Sequence, residues 1–200
     1  MAHKKFADEK SEFLSWLKLW QWYAGELEHK KSQRKLVQAC HENFLSALRM
    51  REWHDIHSQL PGLANEHEWK ENQLPANYDA IHRALLSGLL GNIGCKSEDS
   101  GHYLGARGIK FLIHPGSALN KKAGKWVAAA EITETTKLFA RCVARIEPEW
   151  LEKVGAHLIK KSYFDPHWEK KAMQAVAFER STLYGIVVNP KKRVNYGPMN

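Results

Sequence analysis

Only three cysteines occur in the 200 residues, Cys40, Cys95 and Cys142, far apart and odd in number. That argues against a disulfide framework and fits a reducing cytoplasm. No apolar run approaches the roughly 18 residues of a membrane span, so no membrane partner is expected. The opening MAHKKFADEK is charged and lacks an apolar stretch, so no secretory signal is expected. Internal repeats and low-complexity linkers are also missing.

The chemical motifs are as sparse. No GxxxxGKS/T and no Asp-Glu-Ala-His occurs. The nearest approach to a phosphate loop is IHPGSALNKKAGKW, residues 113 to 126. There Leu119 stands where the first glycine is needed, and Trp126 where Ser or Thr must reach magnesium. The following segment reads as a strand, whereas a phosphate loop opens a helix; the stretch is read as a turn between strands. Eleven histidines raise the question of a metal, and His54 and His57 are three apart on a predicted helix. No HExxH, CxxC or CxxxH pattern supplies further ligands, so solvated or packed histidine is the reading. Glu131 and Glu134 are an odd number apart in or beside a strand and fall on opposite faces. There is no GxSxG elbow and no cysteine with an evident activating base. The chain itself is expected to hold no catalytic residue, no metal and no cofactor.

What is present is positive charge, and it is unevenly placed. The net charge is +8. Residues 1–94 carry twelve Lys/Arg against twelve Asp/Glu, and residues 95–200 carry eighteen against ten. A neutral first half and a basic second half suggest two modules, the second facing a polyanion such as nucleic acid.

The first half has helical spacing. Phe13, Leu17, Trp20, Ala24 and Leu27 form a stripe widened by Trp16, Leu19 and Tyr23. A second stretch starts near Ser32, breaks around Glu42–Asn43 and runs on to Pro61, followed by a polar connector. Asn77 is placed to cap a third helix with Ile81, Leu85 and Leu89 on one face, closed by Gly91 and Gly94. Together these predict a small helical bundle.

After Gly94 the pattern alternates. Short strand-like runs are separated by glycine- and lysine-rich turns. One helix is expected over EPEWLEKVGAHLIKKSY, with Pro148 in its first turn. A hairpin is expected to fold about Asn189–Pro190, with Lys191, Lys192 and Arg193 at the turn. Short strands closing on themselves with a helix attached are the pattern of an OB-type barrel. In the strand from Leu138 to Ile146, alternation puts Phe139, Arg141, Val143 and Arg145 on one face. Arginines interleaved with an aromatic suit a backbone-tracking or base-stacking platform. Arg107, Lys110, Lys121, Lys122, Lys125 and Lys137 add charge nearby. The same face could instead pack on the bundle, its arginine stems covering apolar surface. The eight tryptophans, Trp16, Trp20, Trp126 and Trp150 among them, are read mainly as packing residues.

DAIHRALLSGLLGNIG followed by IHPGSALNKKAGKWVAAAEITETTKLFARCVARIEPEWL resembles the region behind the motor of DEAH-box RNA helicases. The His-Pro-x-Ser-x-Leu turn (His114, Pro115, Ser117, Leu119), Trp126–Val127, Glu131, Thr135–Thr136–Lys137, Arg141, and Pro148, Trp150 and Leu151 carry the likeness in order. FLSWLKLWQWYAGEL and NFLSALRMREWHDIHSQL are similar to the family's first bundle helices. Ala129 departs from the aromatic usual in eukaryotic relatives. The extension from Tyr163 resembles bacterial members that continue into a further C-terminal region.

The resemblance implies an α+β piece: a ratchet-like helical bundle over 1–94, an OB-fold over 95–165, and an extension with a hairpin over 166–200. It implies an accessory segment of an NTP-hydrolysing helicase, with ATP and magnesium bound by motor domains. The expected partners are single-stranded RNA and those motor domains, in a monomer. The expected contacts are Arg107, Lys110, Lys137, Arg141 and Arg145, with Ser117, Thr135 and Thr136 as hydroxyl donors to phosphate. The alternative is a scaffold that docks motors or a protein partner without binding RNA itself.

Overall fold

The computed structural model describes residues 3–30, 32–98 and 101–197. The chain divides into two compact units, 1–77 and 78–200. The first unit holds α1 (Glu12–His29), α2 (Gln33–Glu42), α3 (Ala47–His57) and α4 (Leu60–Glu66), after a single 3-10 turn at Lys4–Phe6. Ser11 caps α1 by accepting from the Leu14 amide, which satisfies one of the amides a helix start leaves unpaired. The expected break at Asn43 is the end of α2.

The core of this unit is Phe6, Leu19, Tyr23, Leu36, Cys40 and Met50, with Trp20, Trp22, Leu27 and Trp53 packed around it. The buried face of α1 therefore centres on the Leu19–Tyr23 pair, four residues apart, while Trp16 and Leu17 are exposed. That is a rotation of the expected stripe, which the many aromatics of this helix made too wide to centre. Trp20 stacks on His54 and His57, ring centroids 6.2 and 4.3 Å away, so both histidines serve packing. Pro61 lies in the first turn of α4 rather than ending a helix; its missing amide costs nothing at that position.

The second unit opens with α5 (Tyr78–Leu89), the helix expected to complete the bundle. It packs instead with α6 (Pro148–Val154) and the sheet of its own unit. The boundary expected at Gly94 thus falls between Asn77 and Tyr78. An apolar helical stripe records that a face is covered, not by which partner. Five strands close into a barrel in the order β1-β2-β3-β5-β4: β1 (Ile93–Lys96), β2 (Tyr103–Gly105), β3 (Lys110–Ile113), β4 (Trp126–Glu134) and β5 (Leu138–Arg145). The β3–β5 pair is parallel and the others antiparallel. Phe111, Ile113, Leu119, Val127, Ala129, Ala140 and Val143 fill the interior. Trp126, Ala128 and Ile146 face outward to a second core with Leu86 and Leu90 near α5, Trp150 and Leu151 of α6, and Leu183, Ile186 and Val188.

The last three residues come from a separate antiparallel sheet, β6 (Lys160–Glu169), β7 (Gln174–Leu183) and β8 (Ile186–Asn195). Its β7–β8 turn is Tyr184–Gly185, with φ of +48° and +87°, the left-handed pair that two-residue hairpins require. The turn expected at Asn189–Pro190 is inside β8, and Lys191, Lys192 and Arg193 lie along that strand. The helix expected through Tyr163 ends at Val154, and β6 starts at Lys160. No helix among the described residues is long and apolar enough to cross a membrane.

Candidate nucleic-acid interface

The strand order fixes which charged residues share an end of the barrel. β2 ends where the Ala106–Gly108 turn leads into β3, and β3 runs parallel to β5. The β2–β3 turn and the β4–β5 turn therefore lie at one end, and Arg107, Lys110, Thr135, Thr136 and Lys137 come together there. Arg107 has φ +59° and its amide donates to the Tyr184 carbonyl at 2.9 Å, so the turn is tied to the C-terminal hairpin while the side chain stays exposed. Thr135–Thr136–Lys137 is the hairpin tip, closed by the Thr135 amide donating to the Lys137 carbonyl at 3.1 Å. All three are exposed.

From this end an exterior face extends over β2, β3 and β5. Leu104 pairs with Lys110, Leu112 with Phe139, and Phe139 and Arg141 with Thr133 and Glu131 of β4. His114 stands edge-on to Phe139, ring centroids 5.7 Å apart. The sequence had marked His114 only as part of a turn; its place beside Phe139 depends on the parallel β3–β5 pairing. Among the described residues, Arg107, Lys110, Lys137 and Arg141 form no ion pair within 4 Å. Glu131 opposite Arg141 is the nearest opposing charge in the strand register.

Ser117 and Arg145 lie elsewhere. Ser117 is buried; its hydroxyl oxygen accepts from the Leu119 amide at 3.1 Å and its carbonyl accepts from Asn120. It shapes the 114–125 loop. Arg145 is paired with Val127, on the interior side of β5 at that same loop. Its Nη2 donates to the Lys122 carbonyl, and its Nε is buried with no hydrogen-bond partner. The single exterior face expected for Phe139, Arg141, Val143 and Arg145 is split at Cys142, whose φ is +51°. One left-handed residue reverses the alternation, so Val143 is buried inside with Ala140 while Arg141 stays outside. Nearby, Tyr103 donates to the Gly124 carbonyl at 2.6 Å, and burial pushes its phenol above the ordinary range. Burial also raises the Cys95 thiol, against a smaller opposing effect of Lys125.

Comparison with known proteins agrees with the barrel fold. The family described as "Oligonucleotide/oligosaccharide-binding (OB)-fold" matches residues 81–159. The chain is 46% identical over 99% of its length to the ATP-dependent RNA helicase HrpA homolog of Haemophilus influenzae, and 43% identical over 99% to the ATP-dependent RNA helicase HrpA of Escherichia coli. It spans 15% of the length of each of these relatives.

Proposed function

We propose that the chain is the OB-fold-bearing segment of an HrpA-type RNA helicase, a reading supported by its likeness to such helicases over 99% of its length, and that the exterior face of its barrel grips the backbone of single-stranded RNA. The observation that carries this is the gathering of Arg107, Lys110, Lys137 and Arg141, exposed and without ion pairs among the described residues, in the β2–β3 turn, on β3 and β5 and in the β4–β5 loop. OB-folds bind oligonucleotides on the face of strands 2 and 3 and with the loop between strands 4 and 5. Unpaired cations supply the sequence-independent share of affinity by releasing counterions from phosphates. Phe139, with Arg141 beside it, offers a ring for a base. Thr135 and Thr136 add hydroxyl donors to phosphate. In this reading ATP and magnesium are bound by motor domains elsewhere in a cytoplasmic helicase, and this segment supplies grip on the strand they move.

The test is fluorescence anisotropy of a labelled single-stranded RNA titrated with the chain at 50 and 200 mM salt. The four barrel cations alone, at a slope of about 0.7 each, predict at least roughly 50-fold weaker binding at the higher salt. K110E/R141E should abolish most of the low-salt affinity. Salt-insensitive binding, or a K110E/R141E variant that binds like the parent, would sink the reading in favour of a scaffold.

A further inference from the structure

Beyond the barrel, we propose a second single-stranded nucleic-acid contact on the open face of the β6–β7–β8 sheet, which lies outside the matched OB segment. The strand register defines the face. Phe164 pairs with Phe178, and Phe178 with Arg193; Arg180 pairs with Ser162 on the same side. The Phe164 and Phe178 ring centroids are 5.8 Å apart, and the His167 ring is 5.9 Å from Phe178. The Arg180 guanidinium lies 5.5 Å from the Phe164 centroid and the Lys191 ammonium 3.9 Å from that of Phe178. Arg193 is paired with Glu169. The opposite face of β7 is the covered one, with Ala177, Glu179, Ser181 and Leu183 all buried; on the Phe178 face Val176 is buried at one end, and the open part runs from Phe178 to Arg180.

An antiparallel sheet with aromatics at facing positions of adjacent strands is a way of stacking bases. The charge identifies the occupant. Residues 160–197 carry eight Lys/Arg against three Asp/Glu, and of those acids Glu169 and Glu179 are engaged by Arg193 and Lys161. A strand of phosphates complements such a face. Phe164, on the exposed edge strand, presents its ring for a base. Arg180 lies over the Phe164 ring and Lys191 over the Phe178 ring, and both long side chains would swing from the rings to passing phosphates as bases stack. Strands about 4.8 Å apart give the three-strand face a width near 10 Å, room for two or three nucleotides at roughly 3.4 Å each.

The proposal stands apart from the reading of the barrel, and paired variants separate them. In the intact chain, R180E/K191E is expected to weaken binding of the labelled single strand at least ten-fold and to lower the salt slope by about 1.4. F164L keeps an apolar side chain on an exposed position, so the fold is retained; loss of stacking should cost about ten-fold. Ultraviolet crosslinking to a uridine-rich strand should label peptides containing Phe164 or Phe178. Unchanged affinity and slope in R180E/K191E and F164L, with K110E/R141E still impaired, overturns the sheet contact and leaves the barrel reading standing. Impairment of R180E/K191E and F164L alone supports the sheet and removes the barrel. Binding of an oligoglutamate in preference to the oligonucleotide also overturns the proposal.

Discussion

Arg141 and Arg145 lie four residues apart on one strand of one barrel, and their surroundings differ completely. Arg141 stands on the exterior face beside Phe139 with no ion pair among the described residues. Arg145 is half-buried at the other end, bonded to the Lys122 carbonyl and opposite the buried Val127. The contrast extends to their neighbourhoods. Around the β4–β5 tip, Thr135, Thr136 and Lys137 are exposed; in the 114–125 loop, Ser117, Leu119 and Ala123 are buried. One end leaves its cations and hydroxyls exposed and the other uses them to close the barrel, although both are basic. Positive charge alone does not distinguish a binding residue from a clamp; the availability of its donors does.

The largest effect expected from breaking this contrast is at the clamp. R145A removes the bond to Lys122 and the stem that lies against Gly124, where an added Cβ would sit 3.5 Å from Arg145 Cδ. It also removes an unpartnered Nε, which offsets part of the loss. The net cost should be about 1–2 kcal/mol, a fall in melting temperature of roughly 2–8 °C. RNA affinity measured below that transition should keep its salt slope. A lowered slope with an unchanged melting temperature would show that Arg145 meets phosphate and that the two ends are alike.

A smaller effect should follow at the residue that separates the two arginines. Cys142 has φ +51° and lies between the Arg141–Glu131 and Val143–Ala129 pairs of β4 and β5. A β-branched side chain is poorly tolerated there, so C142V should cost about 1–2 kcal/mol, read by chemical denaturation. C142G should be nearly neutral, since glycine accepts that conformation. A stable C142V would mean that the phase reversal is not fixed by this residue.

That residue also marks the limit of what could be read from the chain. The helix break at Asn43, the start of α6 at Pro148 and the existence of strand β5 were legible, because capping residues, proline and strand-like composition are local signals. The OB-type barrel was read from its short alternating strands and from the likeness of motifs, whereas the strand order β1-β2-β3-β5-β4 was not legible. Cysteine at a left-handed φ carries no such signal, and period-two reasoning then placed Val143 and Arg145 on the wrong face. Tyr184–Gly185 lost to Asn189–Pro190 as a turn for a similar reason: tyrosine is not a turn residue by type. The membership of α5 in the barrel unit rests on contacts such as the Tyr78 hydroxyl donating to the Arg145 carbonyl at 2.8 Å, 67 positions away.

The finest discrimination lies at the exposed end, in Lys137. Continuing the β3–β5 register by two residues sets Lys137 level with Lys110, so the two should share neighbouring phosphates. K137A removes one exposed cation and no hydrogen bond of the fold, because its carbonyl rather than its side chain closes the turn. Melting temperature should be unchanged, affinity two- to three-fold weaker at low salt, and the salt slope lower by about 0.7. An unchanged slope would confine the contact to Lys110 and Arg141 on the strands and leave the tip outside the interface. A loss well beyond three-fold would instead mean that the tip orders on binding, its two threonines donating to the same phosphate that Lys137 neutralises.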